Sequence, residues 1–517
     1  MLPPDLQTPR EVTAFYQEFY DSSISSGRYV PCIYPWATLG AFGIFCYLLV
    51  DHRRSPTLTR LRHPIFALLV AFHAWTIQYV RARTPAAALG VGLLSAWGVI
   101  WTAVLMVVND CQTDFYRIEI LGRKHETTSS SPGEGSKRSV DRLTQVEDSS
   151  SSSLHHEPFP ERWSRRIDWL LDLLWNFRGV GWNWQISGVP PLPTLDQGQA
   201  QGNITLVATN QMTVSKTGIR RYASRRFFLR DSIVQMLAGY LLLDLLRTLM
   251  QHDAYFWGYT DALPPAYLPR YVQILPALVK SYRLLISFAA VHVALWEVFR
   301  LGPIFFCSLL GPRWIGLRGE ACMNPWDMFG DLRCALDHGL AGWWGGYWHQ
   351  IFRFGFETPA DGLLDVLALN KQSQVAKVIK LIVVFILSGS LHAAGSHTQL
   401  GETRPLRGPM CFFVLQPAGI LGQKFAAKQL RRWDLTRRIP RSFCRLGNFL
   451  FILSWFYLTA PLQMDDFAVG GAWLLEPVPV SLFRGLGLGA KDDSFFCWND
   501  VAYWRKGEHW WNTGIAL

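Results

Sequence analysis

The stretch VIKLIVVFILSGSLHAAG, residues 378–395, decides the fold. It stays apolar for longer than a strand or a soluble core helix needs, and a run of this length reads as a passage through lipid. Past Lys380 near its start, one ionisable residue breaks the pattern. His392 is ionisable, and ionisable side chains in such spans are rare because unpaired polarity in hydrocarbon is costly; those that occur face the protein interior or a water-filled chamber. Histidine is also the side chain best suited to moving a proton near neutral pH. His392 is therefore the leading candidate for a general base. Ser388, Gly389, Ser390 and Gly395 surround it with small residues, which let the helix pack closely or leave room for a narrow tunnel.

Composition agrees with a membrane protein. The 517 residues are 50% apolar and 17% charged, against roughly 25% charged in soluble domains. The 23 Trp, 32 Phe and 17 Tyr fit aromatic side chains gathered where helices meet headgroups. Mean hydropathy is only +0.11, so long polar loops must dilute the apolar spans. The net charge of +11 is read as basic residues clustered beside spans rather than as a nucleic-acid surface, and no nucleic-acid partner is expected. Nine cysteines occur with no CxxC pair, which gives neither a metal framework nor a disulfide scaffold. The first thirty residues are polar and acidic, so no cleavable secretory signal is expected.

Spans are expected at 35–50, 64–80, 86–108, 232–249, 281–310, 378–395, 408–424 and 446–462. Weaker, broken or re-entrant segments are expected at 271–280, 335–356 and 465–489. The fold class is thus all-α and polytopic, with about eight to eleven membrane segments. Basic clusters after the first, third and seventh spans place those ends in the cytosol and the amino terminus across the membrane. Three regions follow: N-terminal membrane segments at 1–110, a basic cytosolic loop at 111–230 with a disordered insert at 121–160, and a membrane-embedded catalytic core at 231–517. Within the insert, TSSSPGEGSKRSVDRLTQVEDSSSSSLHH (128–156) is too polar to bury a core. The Asn203-Ile204-Thr205 sequon falls on the cytosolic side in this topology, and no glycan is expected there.

Two further polar and aromatic stretches stand near spans. In WNFRGVGWNW (175–184), Trp175, Arg178, Trp182 and Trp184 alternate with glycine. This is either an aromatic belt at headgroup depth or a turn whose Arg178 holds a phosphate-bearing donor. The second stretch runs from Asn324-Pro325-Trp326-Asp327 to Trp343-Trp344-Gly345-Gly346-Tyr347-Trp348-His349-Gln350-Ile351-Phe352-Arg353. If helical, it places His349 and Arg353 on one face. His349 alone reads either as a hydrogen-bonded packing residue or as a partner of His392. Asn324, Gln350 or His349 are candidates to stabilise a developing oxyanion while His392 takes the proton of an alcohol. Other chemistries lack their residues: there is no GxSxG, Walker A loop, HExxH or glycine-rich nucleotide fingerprint. His155-His156 has no partner at metal-ligand spacing, and no metal is expected.

Three blocks, RGVGWNW (178–184), the Trp343–Arg353 stretch containing YWHQIFR, and SGSLHAAG (388–395), resemble the fungal wax-synthase-like branch of the membrane-bound O-acyltransferases. They cover about a twentieth of the chain or less. The resemblance implies a helical chamber, with the family histidine at His392 and the aromatic-histidine box at Trp348 and His349. Gln350, Phe352 and Arg353 complete that local match. The compact Asp-Phe-Trp-Gly-Arg run usual before the box is replaced here by Ala341-Gly342-Trp343-Trp344-Gly345-Gly346-Tyr347. The implied function is transfer of an acetyl group from acetyl-CoA, a co-substrate rather than a bound cofactor, to a hydroxyl of a terpenoid or meroterpenoid in the endoplasmic reticulum membrane. The site expectations are His392 and His349 as catalytic, Asn324, Trp348, Gln350, Arg353 and Arg178 as donor or oxyanion ligands, and Ser388, Gly389 and Trp344 as the acceptor tunnel. Lys424, Lys428, Arg431, Arg432, Arg437 and Arg438 are expected to attract CoA phosphates or anionic lipid headgroups. The competing readings are a long-chain wax or sterol ester synthase, and a transporter or lipid-binding protein.

Overall fold

The structure is a computed structural model that describes residues 2–120, 153–191, 194–195, 204–206, 212–432, 439–491, 493–498 and 501–517. Residues 121–152 of the insert, Asn203, Arg437 and Arg438 lie outside the described residues. The principal helices are α1 (Pro9–Ser25), α2 (Leu39–Leu49), α3 (Arg62–Tyr79), α4 (Pro85–Ala103), α5 (Trp163–Trp175), α6 (Arg225–Gln251), α7 (Pro276–Ile304), α8 (Arg333–Gly342), α9 (Arg353–Val366), α10 (Gln374–Thr398), α11 (Cys411–Arg432), α12 (Arg441–Thr459) and α13 (Pro461–Gly470). The protein is an all-α, multi-pass membrane bundle.

Each expected span corresponds to a helix, but not every helix is a full crossing. Among the described residues, four segments are long and apolar enough to cross a bilayer: Pro85–Val108, Arg225–Gln251, Pro276–Gly319 and Gln374–Thr398. A fifth arises if α12 and α13, bent by 43°, are one broken span. The count of eight to eleven is reached only with shorter or more polar helices. The expected span at 35–50 is one of these, since α2 has 11 residues.

Helix α10 begins where Ser373 caps it, its side chain accepting a hydrogen bond from the Ala376 amide at 3.1 Å. It then runs through the apolar stretch and stops at Gln399, whose backbone is extended. Small residues fix its neighbour. A Cβ on Gly92 of α4 would lie 2.0 Å from the Ala394 carbonyl oxygen, and one on Gly395 would lie 2.8 Å from Leu93. The α4 and α10 backbones therefore meet directly, as helices in lipid do when small residues line the contact. Thr398 locks the crossing, its hydroxyl donating to the Ala88 carbonyl at 2.7 Å and accepting from the Gly92 amide at 3.1 Å.

The described part of 111–230 is built into this body. Trp169, Trp182 and Trp184 are buried in one cluster with Trp97 and Trp101 of α4. Of the two readings of WNFRGVGWNW, the headgroup belt is corrected for Trp182 and Trp184, whose indoles are buried, while Trp175 is exposed. Arg117 anchors the region, donating to Glu157 at 2.7 Å and to Asp168 at 2.6 Å. Residues 153–157, expected within the disordered insert, form a strand between 117–120 and 204–206 in a four-stranded sheet completed by 194–195.

Candidate active site

A cavity of about 2310 Å³ runs through the bundle. Pockets for single drug-sized ligands hold roughly 300–1,000 Å³, so this one has room for two substrates side by side. Its walls are largely apolar, with Phe72, Trp97, Trp101, Phe352 and Leu391 among them, and His392 and His349 both open into it.

His392 reaches the cavity from the last two turns of α10. Its ring stacks on Phe413 of α11 at 4.5 Å between centroids, 15° from parallel. Its Nδ1 has no hydrogen-bond partner, so the ring is held by packing alone. Gly389, one turn earlier, permits the close approach of α11: a Cβ there would lie 2.7 Å from Met410 Sδ and 3.2 Å from Phe413 Cβ.

His349 arrives by a different device. After α8 the chain enters a π-helical turn, Trp343–Tyr347, in which the Trp348 amide donates to the Trp343 carbonyl at 2.7 Å. Such a wide turn leaves carbonyls without their usual partners. Gln350 supplies them, its amide donating to the Trp344 carbonyl at 3.0 Å and the Trp348 carbonyl at 2.6 Å. Arg353 braces Gln350, donating to its Oε1 at 3.1 Å and to Glu357 at 2.7 Å. The helix restarts only at Arg353, so His349 and Arg353 are not on one helical face. His349 is left in an aromatic surround of Trp348 at 5.5 Å, Phe352 at 5.8 Å and Phe329 at 6.4 Å. Its Nδ1 is also unpartnered, and His392 lies within electrostatic reach.

The remaining expected residues divide by where their polar atoms go. Asn324 lines the cavity, but its amide donates to the Arg318 and Glu320 carbonyls at 2.8 and 2.9 Å. Arg178 also lines it, with its guanidinium donating to the Asp327 carbonyl at 2.8 Å and to the Pro325 carbonyl. Burial pulls Arg178 down to about 10, which still leaves it charged at neutral pH. Its donors hold the 324–328 stretch against the cavity wall instead of projecting toward a phosphate. Gln350, Arg353 and Trp348 shape the turn and are absent from the lining.

Ser388, Gly389 and Trp344 do not line the cavity. Trp344 packs against Phe385, Phe412 and Phe413 and donates to Gln416 at 3.2 Å, while Gly389 faces Met410. The walls come instead from α2, α3, α4 and α7, whose contribution the sequence motifs did not mark. Lys424, Lys428, Arg431 and Arg432 are exposed at the end of α11, outside the lining.

The profile described as "Membrane bound O-acyl transferase family" matches residues 325–415, the segment that carries both His349 and His392. This supports membership in that superfamily. Among curated proteins, the chain is 28% identical over 349 residues to Acetyltransferase pyr8 of Aspergillus fumigatus, covering 65% of this chain and 72% of the relative. It is 27% identical to Acetyltransferase ataH of Aspergillus terreus, covering 49% and 81%. It is 23% identical to O-Mevalon transferase macI of Penicillium terrestre, covering 63% and 67%. No solved structure gives a significant match. Together these likenesses support an acyltransferase activity with an acyl donor and an acceptor substrate in general terms.

Proposed function

We propose that this protein is an O-acetyltransferase of fungal secondary metabolism, in the wax-synthase-like branch, moving acetyl from acetyl-CoA to a hydroxyl of a hydrophobic terpenoid or meroterpenoid at the endoplasmic reticulum membrane. One observation carries the reading. Two imidazoles from segments more than forty residues apart open into one large apolar cavity, each with Nδ1 free of protein partners, inside the matched stretch.

His392 takes the proton from the acceptor hydroxyl as its oxygen attacks the acetyl thioester carbon, forming the C–O bond. The resulting oxyanion collapses, the C–S bond breaks, and the imidazolium returns its proton to the departing CoA sulfur. Direct transfer needs a base but no covalent intermediate on the protein. His349 is positioned to orient the thioester carbonyl, since the Gln350 and Arg353 scaffold fixes the turn that carries it. The apolar walls select a hydrophobic acceptor and exclude water, which would otherwise hydrolyse the thioester.

The cavity volume also favours a second reading, a larger acyl donor such as a long-chain acyl-CoA. Purified protein in lipid nanodiscs, given radiolabelled acetyl-CoA or palmitoyl-CoA with a panel of terpenoid alcohols, separates the two. Acetyl ester that depends on His392 supports the proposal. Ester from palmitoyl-CoA alone, or flux of alcohol across proteoliposomes without ester, contradicts it.

A further inference from the structure

A third histidine stands on the same cavity wall, outside the machinery described above. His73 is buried on α3, and the Cε1–Nε2 edge of its ring lies in a slot between Gly40 of α2 and Gly98 of α4. A Cβ on Gly40 would sit 2.6 Å from Cε1, and one on Gly98 would sit 2.7 Å from Nε2. The slot exists because both facing positions are glycine. All three residues line the cavity.

The ring is not holding the helices together by hydrogen bonds. Neither ring nitrogen has a described hydrogen-bond partner; Nδ1 is fully buried, which leaves Nε2, in the glycine slot, as the nitrogen a ligand could reach, and the one described ring contact is with neighbouring Phe72 at 5.5 Å. Neighbouring polar groups in the lining are paired within the protein. Thr76 donates to the Phe72 carbonyl at 2.9 Å, Thr102 to the Gly98 carbonyl at 2.6 Å, and Asn324 to the Arg318 carbonyl at 2.8 Å. An unpaired imidazole in an apolar wall is destabilising unless something in the cavity completes it.

An aromatic wall leads from its slot toward His349. Trp97, next to Gly98, packs on Phe352 at 4.5 Å, and Phe352 packs on His349 at 5.8 Å. A rigid polycyclic skeleton lying along Trp97 and Phe352 would have one end at His349 and the other at His73.

We infer that His73 is a second polar subsite of the acceptor chamber, whose imidazole donates a hydrogen bond to a ketone or hydroxyl oxygen remote from the reacting hydroxyl. The subsite selects acceptors oxygenated at both ends over simple alcohols. It rests on the acyl-transfer reading, which the test separates from it.

The test compares androsterone, a tetracyclic alcohol with a ketone on its far ring, with the same alcohol lacking the ketone. Wild type, H73M and H73Q are assayed for acetyl transfer in nanodiscs, H73M preserving volume and H73Q preserving a hydrogen-bond donor. In wild type, kcat/KM favours the ketone by about tenfold, the effect of one hydrogen bond formed away from water. H73M removes the preference by slowing the ketone alone, and H73Q retains much of it. An unchanged ratio in H73M, or an equal loss for both alcohols, overturns the subsite. If wild type acetylates neither alcohol under conditions where the terpenoid panel also fails, the acyl-transfer reading has fallen. The subsite is then judged by displacement of tritiated androsterone: weaker ketone binding in H73M alone supports it, and equal binding overturns it.

Discussion

The imidazole of His392 lies nearly parallel to the ring of Phe413, 4.5 Å away, and that stack takes the place of the hydrogen bond that commonly orients a histidine base. The consequence is kinetic. F413L keeps an apolar side chain of similar volume but removes the flat platform, so the ring samples orientations that miss the acceptor. kcat should fall by about tenfold while KM for acetyl-CoA stays within twofold, since misplacement of a catalytic group acts on the transition state. A change confined to KM would show that Phe413 is part of a substrate wall instead.

Gly92 tests whether the α4–α10 contact sets the position of His392. G92A drives a methyl into the Ala394 carbonyl, and overpacking of this kind typically costs about 1–3 kcal/mol. The thermal midpoint should drop and activity should fall further than the folded fraction, because the displaced helix is the one bearing His392. G422A is the control: Gly422 is exposed on α11, and a methyl added there would meet no atom within 4 Å. It should be neutral or slightly stabilising, by up to about 1 kcal/mol from helix propensity.

Arg178 separates bracing from donor binding. Its guanidinium is bonded to the Asp327 and Pro325 carbonyls. R178K cannot reproduce a fork that reaches both oxygens, so the thermal midpoint should fall. The salt dependence of KM for acetyl-CoA should be unchanged. If R178K instead flattens that salt dependence at unchanged stability, Arg178 contacts a phosphate in the working enzyme.

Asp51 supplies a pH signature at the junction of α2 and α5. Arg53 donates to it at 3.0 and 2.7 Å and Arg166 at 3.5 Å, with Phe159 lying against both guanidinium groups. Hydrogen bonding from Arg53, with both cations adding, holds the Asp51 carboxyl down at about 2. A depressed carboxylate contributes stability above its ordinary value, and that contribution disappears as pH falls through the folded one. The difference in thermal midpoint between wild type and D51N should therefore be largest near pH 7 and shrink between about pH 4 and pH 2. A constant difference over that window would mean the charge of Asp51 is not what binds these segments.

The helical architecture was legible because a membrane span announces itself by composition over some twenty residues. The eight apolar runs each became helix, from Arg62–Tyr79 to the bent Arg441–Thr459 and Pro461–Gly470 pair. His392 and His349 were legible because each interrupts an aromatic or apolar run with an ionisable ring. The cavity walls were not. Gly389 packs toward α11, because a small residue in a lipid-phase helix serves close packing as readily as it opens space, and Trp344 packs on Phe413 of the same helix. The spacing of Trp182 and Trp184 suits a headgroup belt as well as a turn, and their burial against Trp97 and Trp101, some eighty residues earlier, is not legible locally. His73 carried the same signal as His392, a histidine in an apolar run, in VAFHAWT. What distinguishes it, the facing glycines at 40 and 98, exists only once three helices are brought together.

The central assignment is the base at His392, and H392Q tests it most directly because the amide keeps a polar group of comparable reach without the basic nitrogen. Wild type and H392Q are purified into nanodiscs, matched for thermal midpoint and for acetyl-CoA binding, and assayed by radiolabelled acetyl transfer to a terpenoid alcohol wild type accepts. The expected result is a fall in kcat of about a hundredfold to ten-thousandfold, the range for loss of a positioned general base, with donor binding intact. Turnover of H392Q at the wild-type rate would contradict the assignment.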